Sequence, residues 1–229
     1  YKRQIENATI NIKKWMNDYD EFRALSTYPD GHIYALPAID ENQNIRVDKI
    51  LYINQSYLDK LGMDMPATLD EFGEYLRQAT SRDLNGDGKN EYGLSFEALQ
   101  NAPSIYTYLF GLFGVSWDTR SYMHSEEGTT QLQFAPAMEE TRKALEYFHE
   151  WYEEGLLDPE NFTQSSTQLK AKAKTEGVAA SVVFWYLDLN DGDESMNEYR
   201  VMNLPEGPDG NQVWRRNGLI PGYVGNQFF

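Results

Sequence analysis

The stretch Asp83-Leu84-Asn85-Gly86-Asp87-Gly88-Lys89-Asn90-Glu91 constrains this chain more than any other. Oxygen-bearing side chains fall at alternate positions, and a glycine follows the third of them. A hard cation such as Ca²⁺ takes six to eight oxygens at about 2.3–2.6 Å, which a tightly curled loop supplies by pointing every second side chain inward. Gly88 falls where the curl turns most sharply and a left-handed backbone is cheapest. The metal donors expected here are Asp83, Asn85, Asp87, the Lys89 carbonyl, and Glu91 directly or through water. Leu94 stands at the twelfth position, where an EF-hand places a bidentate Glu. The pattern therefore describes a structural calcium loop rather than an EF-hand sensor. A solvated turn rich in Asn, Asp and Gly is the plainer alternative. A second acidic stretch, Asp188 to Glu194, has similar composition but places its glycine fifth, where a ligand belongs, and reads as an ordinary loop.

The loop sits between two well-marked elements. Before it, Pro66-Ala67-Thr68-Leu69-Asp70-Glu71-Phe72 is a helix start in which Thr68 and Glu71 form a capping box. Leu69, Phe72, Leu76 and Ala79 recur at helical spacing and face a core. After it, Tyr92 to Phe96 reads as a strand. Further upstream, Tyr1 to about Leu25 reads as helical, and Asp30-Gly31 turns into a strand at His32–Leu36 closed by Pro37. Ile50–Ile53 is a continuously apolar strand of the kind buried on both faces. Asn54 caps a short helix that Gly62 ends. Downstream, Pro103 opens an apolar helix through Phe113, and Ser116–Phe134 is a polar excursion. A helix from Pro136 to Gly155 carries Thr141, Leu145, Phe148 and Tyr152 on one face. A basic helix spans Ser165–Thr175, a buried strand runs from Val178 to Phe184, and Tyr199–Met202 is a last strand before the Leu204–Gly210 turn. Strands alternating with helices give an α/β domain with a mostly parallel sheet flanked by helices.

Composition narrows the function. Twenty basic against 36 acidic side chains give a formal charge of −16, a field that repels phosphate backbones and anionic membrane surfaces and disfavours nucleic acid as a partner. The absence of cysteine excludes disulfides and thiol catalysis. No apolar run approaches the ~20 residues of a membrane span. His32, His124 and His149 are scattered, and no nucleophile elbow or phosphate-binding glycine loop is present. Phe184, Trp185 and Tyr186 fall where a buried strand ends, a position that borders ligand crevices in open α/β sheets. Flat aromatics with a polar edge stack well on sugar faces. The alternative is that they are ordinary core or rim residues. The chain begins at Tyr1 without an export signal and ends on Phe228-Phe229, and so is read as a piece of a longer protein.

Several segments together resemble one family, the extracellular solute-binding proteins of bacterial carbohydrate ABC importers. Asp30-Gly31-His32-Ile33-Tyr34-Ala35-Leu36-Pro37 is similar to that family's D-G-K-I-Y-G-L-P strand. Leu51-Tyr52-Ile53-Asn54 through Gly62 is similar to its L-Y-Y-N…L-F-E-K-A-G segment, and Pro66–Phe72 to its P-x-T-W-D-E-F, with Leu69 in place of Trp. The acidic loop resembles D-x-N-G-D-G-x-x-E-Y-G-L of a Gram-positive subgroup. Gly177–Trp185 is similar to the strand bearing a ligand-stacking aromatic, and Pro205–Gly210 to a P-x-G-P-D-G turn. The resemblance implies a periplasmic-binding-protein-like (type II) fold of two α/β lobes closing on a sugar. In that reading residues 1–44 are part of the first lobe and a crossing strand. Residues 45–205 are the second lobe, with the calcium loop, and 206–229 begin the return toward the hinge. The ligand residues it implies are Trp185 and Tyr186, then Ala38 and Asn101. It further implies a non-enzyme, an ABC permease partner, a monomer, and a lipid-anchored extracellular protein of a Gram-positive bacterium. Two alternatives stay open: a calcium-containing glycoside hydrolase or lyase, which needs two carboxylates roughly 5–10 Å apart, and a sensor version of the same fold.

Overall fold

The structure is a computed structural model, and it describes residues 10–34, 37–39, 50–98, 109–117, 122–125, 129, 131–183, 198–213 and 223–228. The chain divides into two compact units, one of residues Tyr1–Asp48 with Arg216–Phe229, the other of Lys49–Arg215.

In the first unit, helices α1 (Ile10–Asp18) and α2 (Asp20–Ser26) replace the single helix expected from the sequence, parted at the extended residue Tyr19. Met16 and Phe22 form a small apolar cluster with Ile12, Trp15, Tyr19 and Ile33. Strand β1 is Pro37–Ile39, not the expected His32–Leu36, since residues 32–34 carry no strand pairing. Its antiparallel partner is the last strand, Tyr223–Phe228.

The second unit is built on a four-stranded sheet. Its elements in order are β2 (Ile50–Asn54), α3 (Gln55–Leu61), α4 (Leu69–Thr80), β3 (Tyr92–Ser95), a β4–β5 hairpin (Met123–His124 and Gln133–Phe134), α5 (Glu139–Glu153), α6 (Ser166–Thr175), β6 (Val178–Val183) and β7 (Tyr199–Met202). The strand order is β3-β6-β2-β7. Only β3–β6 is parallel, whereas β6–β2 and β2–β7 are antiparallel. The fold class is α/β as expected, but the sheet is mixed rather than mostly parallel. Strand direction depends on which strands become neighbours, and apolar runs in sequence do not specify that.

Both faces of the sheet are covered, which is why Ile50–Ile53 and Val178–Ala180 are apolar without alternation. Leu51 and Ile53 join the main core with Phe72, Tyr75 and Leu76 of α4, while Tyr52 packs with Leu169 and Ala173 of α6 on a second cluster. Each fully buried Leu, Ile or Phe side chain among these contributes about 1.5–3 kcal/mol. The Thr68–Glu71 capping box forms as expected, with the Glu71 amide donating to Thr68 Oγ1 at 3.2 Å and the Thr68 amide to Glu71 Oε2 at 3.1 Å. Asn54 caps α3, and Gly62 ends it in the left-handed region.

Helix α5 departs from the expected face. Thr141, Ala144, Phe148 and Trp151 are buried, whereas Leu145 and Tyr152 are 54% and 46% exposed. Trp151 packs edge-on against Phe72 at 5.8 Å between centroids, and this large indole sets the helix rotation. The polar excursion at 116–134 also holds more core than expected, because Trp117 and His124 are buried.

Candidate functional site

The loop between α4 and β3 is wound by its own side chains. The Asp83 carboxylate accepts the amides of Gly86 and Asp87 on Oδ1, at 2.7 and 3.1 Å, and of Gly88 on Oδ2 at 2.9 Å. Asn85 Oδ1 accepts the Asp87 amide at 2.8 Å, and Asp87 Oδ1 accepts the Lys89 amide at 2.8 Å. Gly86 and Gly88 take φ of 85° and 89°, as the curl requires. Asp83, Asn85 and Asp87 are exposed. Their donor atoms are oxygens alone, which suits a hard divalent cation in kind. Among the described residues no three acidic or histidine side chains converge on one point.

Glu91 stands apart from the rest of the loop because it is buried, with 4% exposure. Its Oε1 accepts the amides of Leu84 and Asn85, both at 2.7 Å, and its Oε2 accepts the Tyr57 phenol at 3.0 Å. The Glu91 amide donates to the Arg82 carbonyl at 3.2 Å, so the residue closes the loop with backbone and side chain together. Burial raises its carboxyl above the ordinary Glu value, and the two backbone donors pull against that rise. Burial, reinforced by the Glu91 charge, pushes the Tyr57 phenol well above its ordinary value. Lys60 Nζ donates to the Leu84 carbonyl at 2.5 Å and ties the loop's outer turn to α3.

A second polar cluster lies at the other edge of β3. The Asp158 carboxylate accepts from Lys172 Nζ at 2.7 Å and from the Ser95 hydroxyl at 2.5 Å. Lys172 also reaches Glu160 at 2.8 Å and lies 4.2 Å over the Tyr92 ring. Burial lowers the affinity of Lys172 for its proton, but the bonds to Asp158 and Glu160 outweigh it and leave the pKa raised. Gln164 bonds the Phe96 carbonyl at 2.7 Å and Asn161 takes the Phe96 amide at 2.7 Å. These groups fasten the segment after α5 to β3 and carry no reacting geometry.

Of the sugar-binding residues expected from the sequence, Ala38 lies in β1. Asn101, Trp185 and Tyr186 lie outside the described residues, as does the acidic stretch Asp188–Glu194. Sequence reasoning missed Tyr57 and Gly177 as neighbours of Glu91. The signal was indirect: an acid placed directly before a buried strand needs a donor from elsewhere in the chain.

No family model matches the chain. Among curated proteins it is 30% identical over 222 residues to the fructooligosaccharide ABC transporter substrate-binding protein FusA of Streptococcus pneumoniae, a match covering 94% of this chain and 40% of FusA. It is 25% identical over 193 residues to the lipoprotein LipO of Bacillus subtilis, covering 73% of this chain and 34% of LipO. The chain thus spans less than half the length of either relative. Among solved structures, S. pneumoniae FusA in complex with kestose superposes with a TM-score of 0.75 at 26% identity, covering 99% of this chain and 46% of that one. A FusA EF-hand mutant in complex with fructo-nystose superposes with a TM-score of 0.73 at 25% identity, again covering 99% and 46%.

Proposed function

This chain is a homologue of the substrate-binding proteins of ABC transporters, and from that kinship we propose that it is the larger part of one lobe of a binding protein that captures a short oligosaccharide for import. The observation that carries the reading is the alignment with FusA along 94% of this chain, joined to the superposition on FusA holding kestose. A fructose-containing oligosaccharide is accordingly the ligand class of choice. The residues proposed to contact the sugar are Trp185 and Tyr186, whose aromatic side chains suit stacking on a sugar face, and Ala38 and Asn101. The partner that receives the sugar is an ABC permease. The kinship with FusA and with the lipoprotein LipO supports an extracellular, lipid-anchored protein of a Gram-positive bacterium, and a monomer is the state proposed for it. Among the described residues no helix is long and apolar enough to cross a membrane.

The loop at 83–91 holds a structural Ca²⁺ in the same proposal. Asp83, Asn85, Asp87 and the Lys89 carbonyl supply oxygens, and Glu91 shapes the loop behind them. The ion would neutralise two exposed carboxylates and fix the passage from α4 to β3. Support comes from the alternating oxygens and from the similarity to FusA, of which an EF-hand mutant has been solved. Calorimetric titration with kestose, alongside an assay for reducing ends released from the same sugars, tests the reading. Saturable binding without release supports a binding lobe; release of reducing ends favours a hydrolase.

A further inference from the structure

The loop's acidic end is tied to two distant parts of the chain. Tyr57 stands thirty-four positions before Glu91 on α3, and its hydroxyl donates to Glu91 Oε2 at 3.0 Å. Gly177 precedes β6, and a Cβ built there would meet Glu91 Oε2 at 1.6 Å and the Tyr57 hydroxyl at 2.6 Å. Gly177 also holds φ of 81°, and its carbonyl accepts the Tyr92 amide at 3.0 Å. Only glycine therefore lets the carboxylate and the phenol meet against the backbone. On the other side, Glu91 Oε1 takes two successive loop amides, of Leu84 and Asn85, at 2.7 Å each. A carboxylate offers about four lone-pair sites, and three of these are already engaged by donors inside the protein.

We propose that Glu91 is a positioning residue rather than a cation ligand, clamped by Tyr57 against Gly177 so that the backbone at Leu84 and Asn85 is pinned from behind. The oxygens of Asp83, Asn85 and Asp87, on exposed residues, are thereby held in a fixed curl before any ion arrives. The role in ion binding rests on the proposal that the loop takes Ca²⁺. Groups that orient metal ligands without touching the metal typically change affinity by about 10–100-fold when removed. Tyr57 is the informative position, because it lies outside the loop and contributes no ligand.

The test compares calcium chloride titrations and amide hydrogen exchange in the unaltered protein and in Tyr57→Phe, Glu91→Gln, Glu91→Ala and Asp87→Ala. Tyr57→Phe is expected to weaken calcium binding by about tenfold or more, to keep one ion per chain, and to speed exchange at Leu84 and Asn85. Glu91→Gln keeps an oxygen for both amides and is expected to stay much closer to the unaltered protein than Glu91→Ala. Equal losses in Glu91→Gln and Glu91→Ala, with Tyr57→Phe unchanged in affinity and exchange, would overturn the assignment and make Glu91 a ligand. If the unaltered protein takes up no calcium, the metal reading falls by itself. Exchange at Leu84 and Asn85 in Tyr57→Phe then decides the clamp: faster exchange supports it and unchanged exchange overturns it.

Discussion

The Tyr57 hydroxyl donates to the buried Glu91 carboxylate at 3.0 Å directly over the backbone of Gly177, where no side chain has room. Three segments that are remote in sequence, a helix, a loop end and the entry to a central strand, meet at this one bond. The contact joins the shape of an exposed polar loop to the packing of the sheet. Gly177→Ala is therefore expected to be costly even though alanine is small. A left-handed conformation alone costs an L-residue about 1–2 kcal/mol, and the methyl group displaces the carboxylate besides. Denaturant unfolding measures the loss, and an unchanged midpoint would contradict this account of the site.

The Lys172–Asp158 pair gives a second expectation. The Asp158 side chain has no exposed surface and that of Lys172 only 5%, with 2.7 Å between the charged atoms. Removing one partner of such a pair leaves a charge buried alone, a loss of about 3–5 kcal/mol. Lys172→Met keeps most of the stem's packing and is expected to fall in that range, while adding Asp158→Asn recovers part of it. A loss below about 1 kcal/mol, the range of surface pairs, would mean that water reaches the cluster.

Calcium is expected to raise the melting temperature of the protein and chelator to lower it. A ligand that binds only the native state stabilises it by about 2.7 kcal/mol at a hundredfold excess over Kd. Asp87→Ala removes an oxygen from the curl and is expected to abolish the shift. Identical melting curves in millimolar calcium and in chelator would leave Asp83–Glu91 as a turn alone.

Four tyrosines carry a pH expectation. Burial, with the Asp70 charge and hydrogen bond behind it, pushes Tyr147 up to about 12. Burial likewise raises Tyr57, Tyr75 and Tyr199. A free phenol titrates near 10. A folded-state pKa above the unfolded one gives stability that is fully present below the unfolded value and lost as pH rises through the folded value. The loss attributable to Tyr147 thus falls between about pH 10 and about 12. Phenolate absorbance is expected to show fewer than all 16 tyrosines ionising before the protein unfolds. Ionisation of all of them at one ordinary midpoint, with the circular dichroism still native, would contradict the burial of these rings.

What the sequence made legible was local. The Thr68–Glu71 capping box, the Asn54 cap and the Gly62 stop depend on residues within one or two turns, and all formed where their spacing placed them. The outcome differed wherever a distant partner decides. Leu145 and Tyr152 fit the helical period of α5 as well as Ala144 and Trp151 do, and distant partners, Phe72 for Trp151 and Phe110 and Phe113 for Phe148, select the buried face. Strand direction was likewise hidden, because β2 reaches its antiparallel neighbour β6 across more than a hundred residues. In the loop, alternation identified Asp83, Asn85 and Asp87 as one set. It gave no sign that Glu91 would turn inward, since the phenol and glycine that hold it lie at positions 57 and 177.

The binding proposal itself is tested most directly by isothermal titration of the protein at its full encoded length with kestose, followed by a panel of other short oligosaccharides. The expected result is saturable binding of at least one fructose-containing sugar at one site per chain, lost in Trp185→Ala and retained in Asp87→Ala. Absence of saturable heat with every sugar of the panel would contradict a carbohydrate-binding lobe.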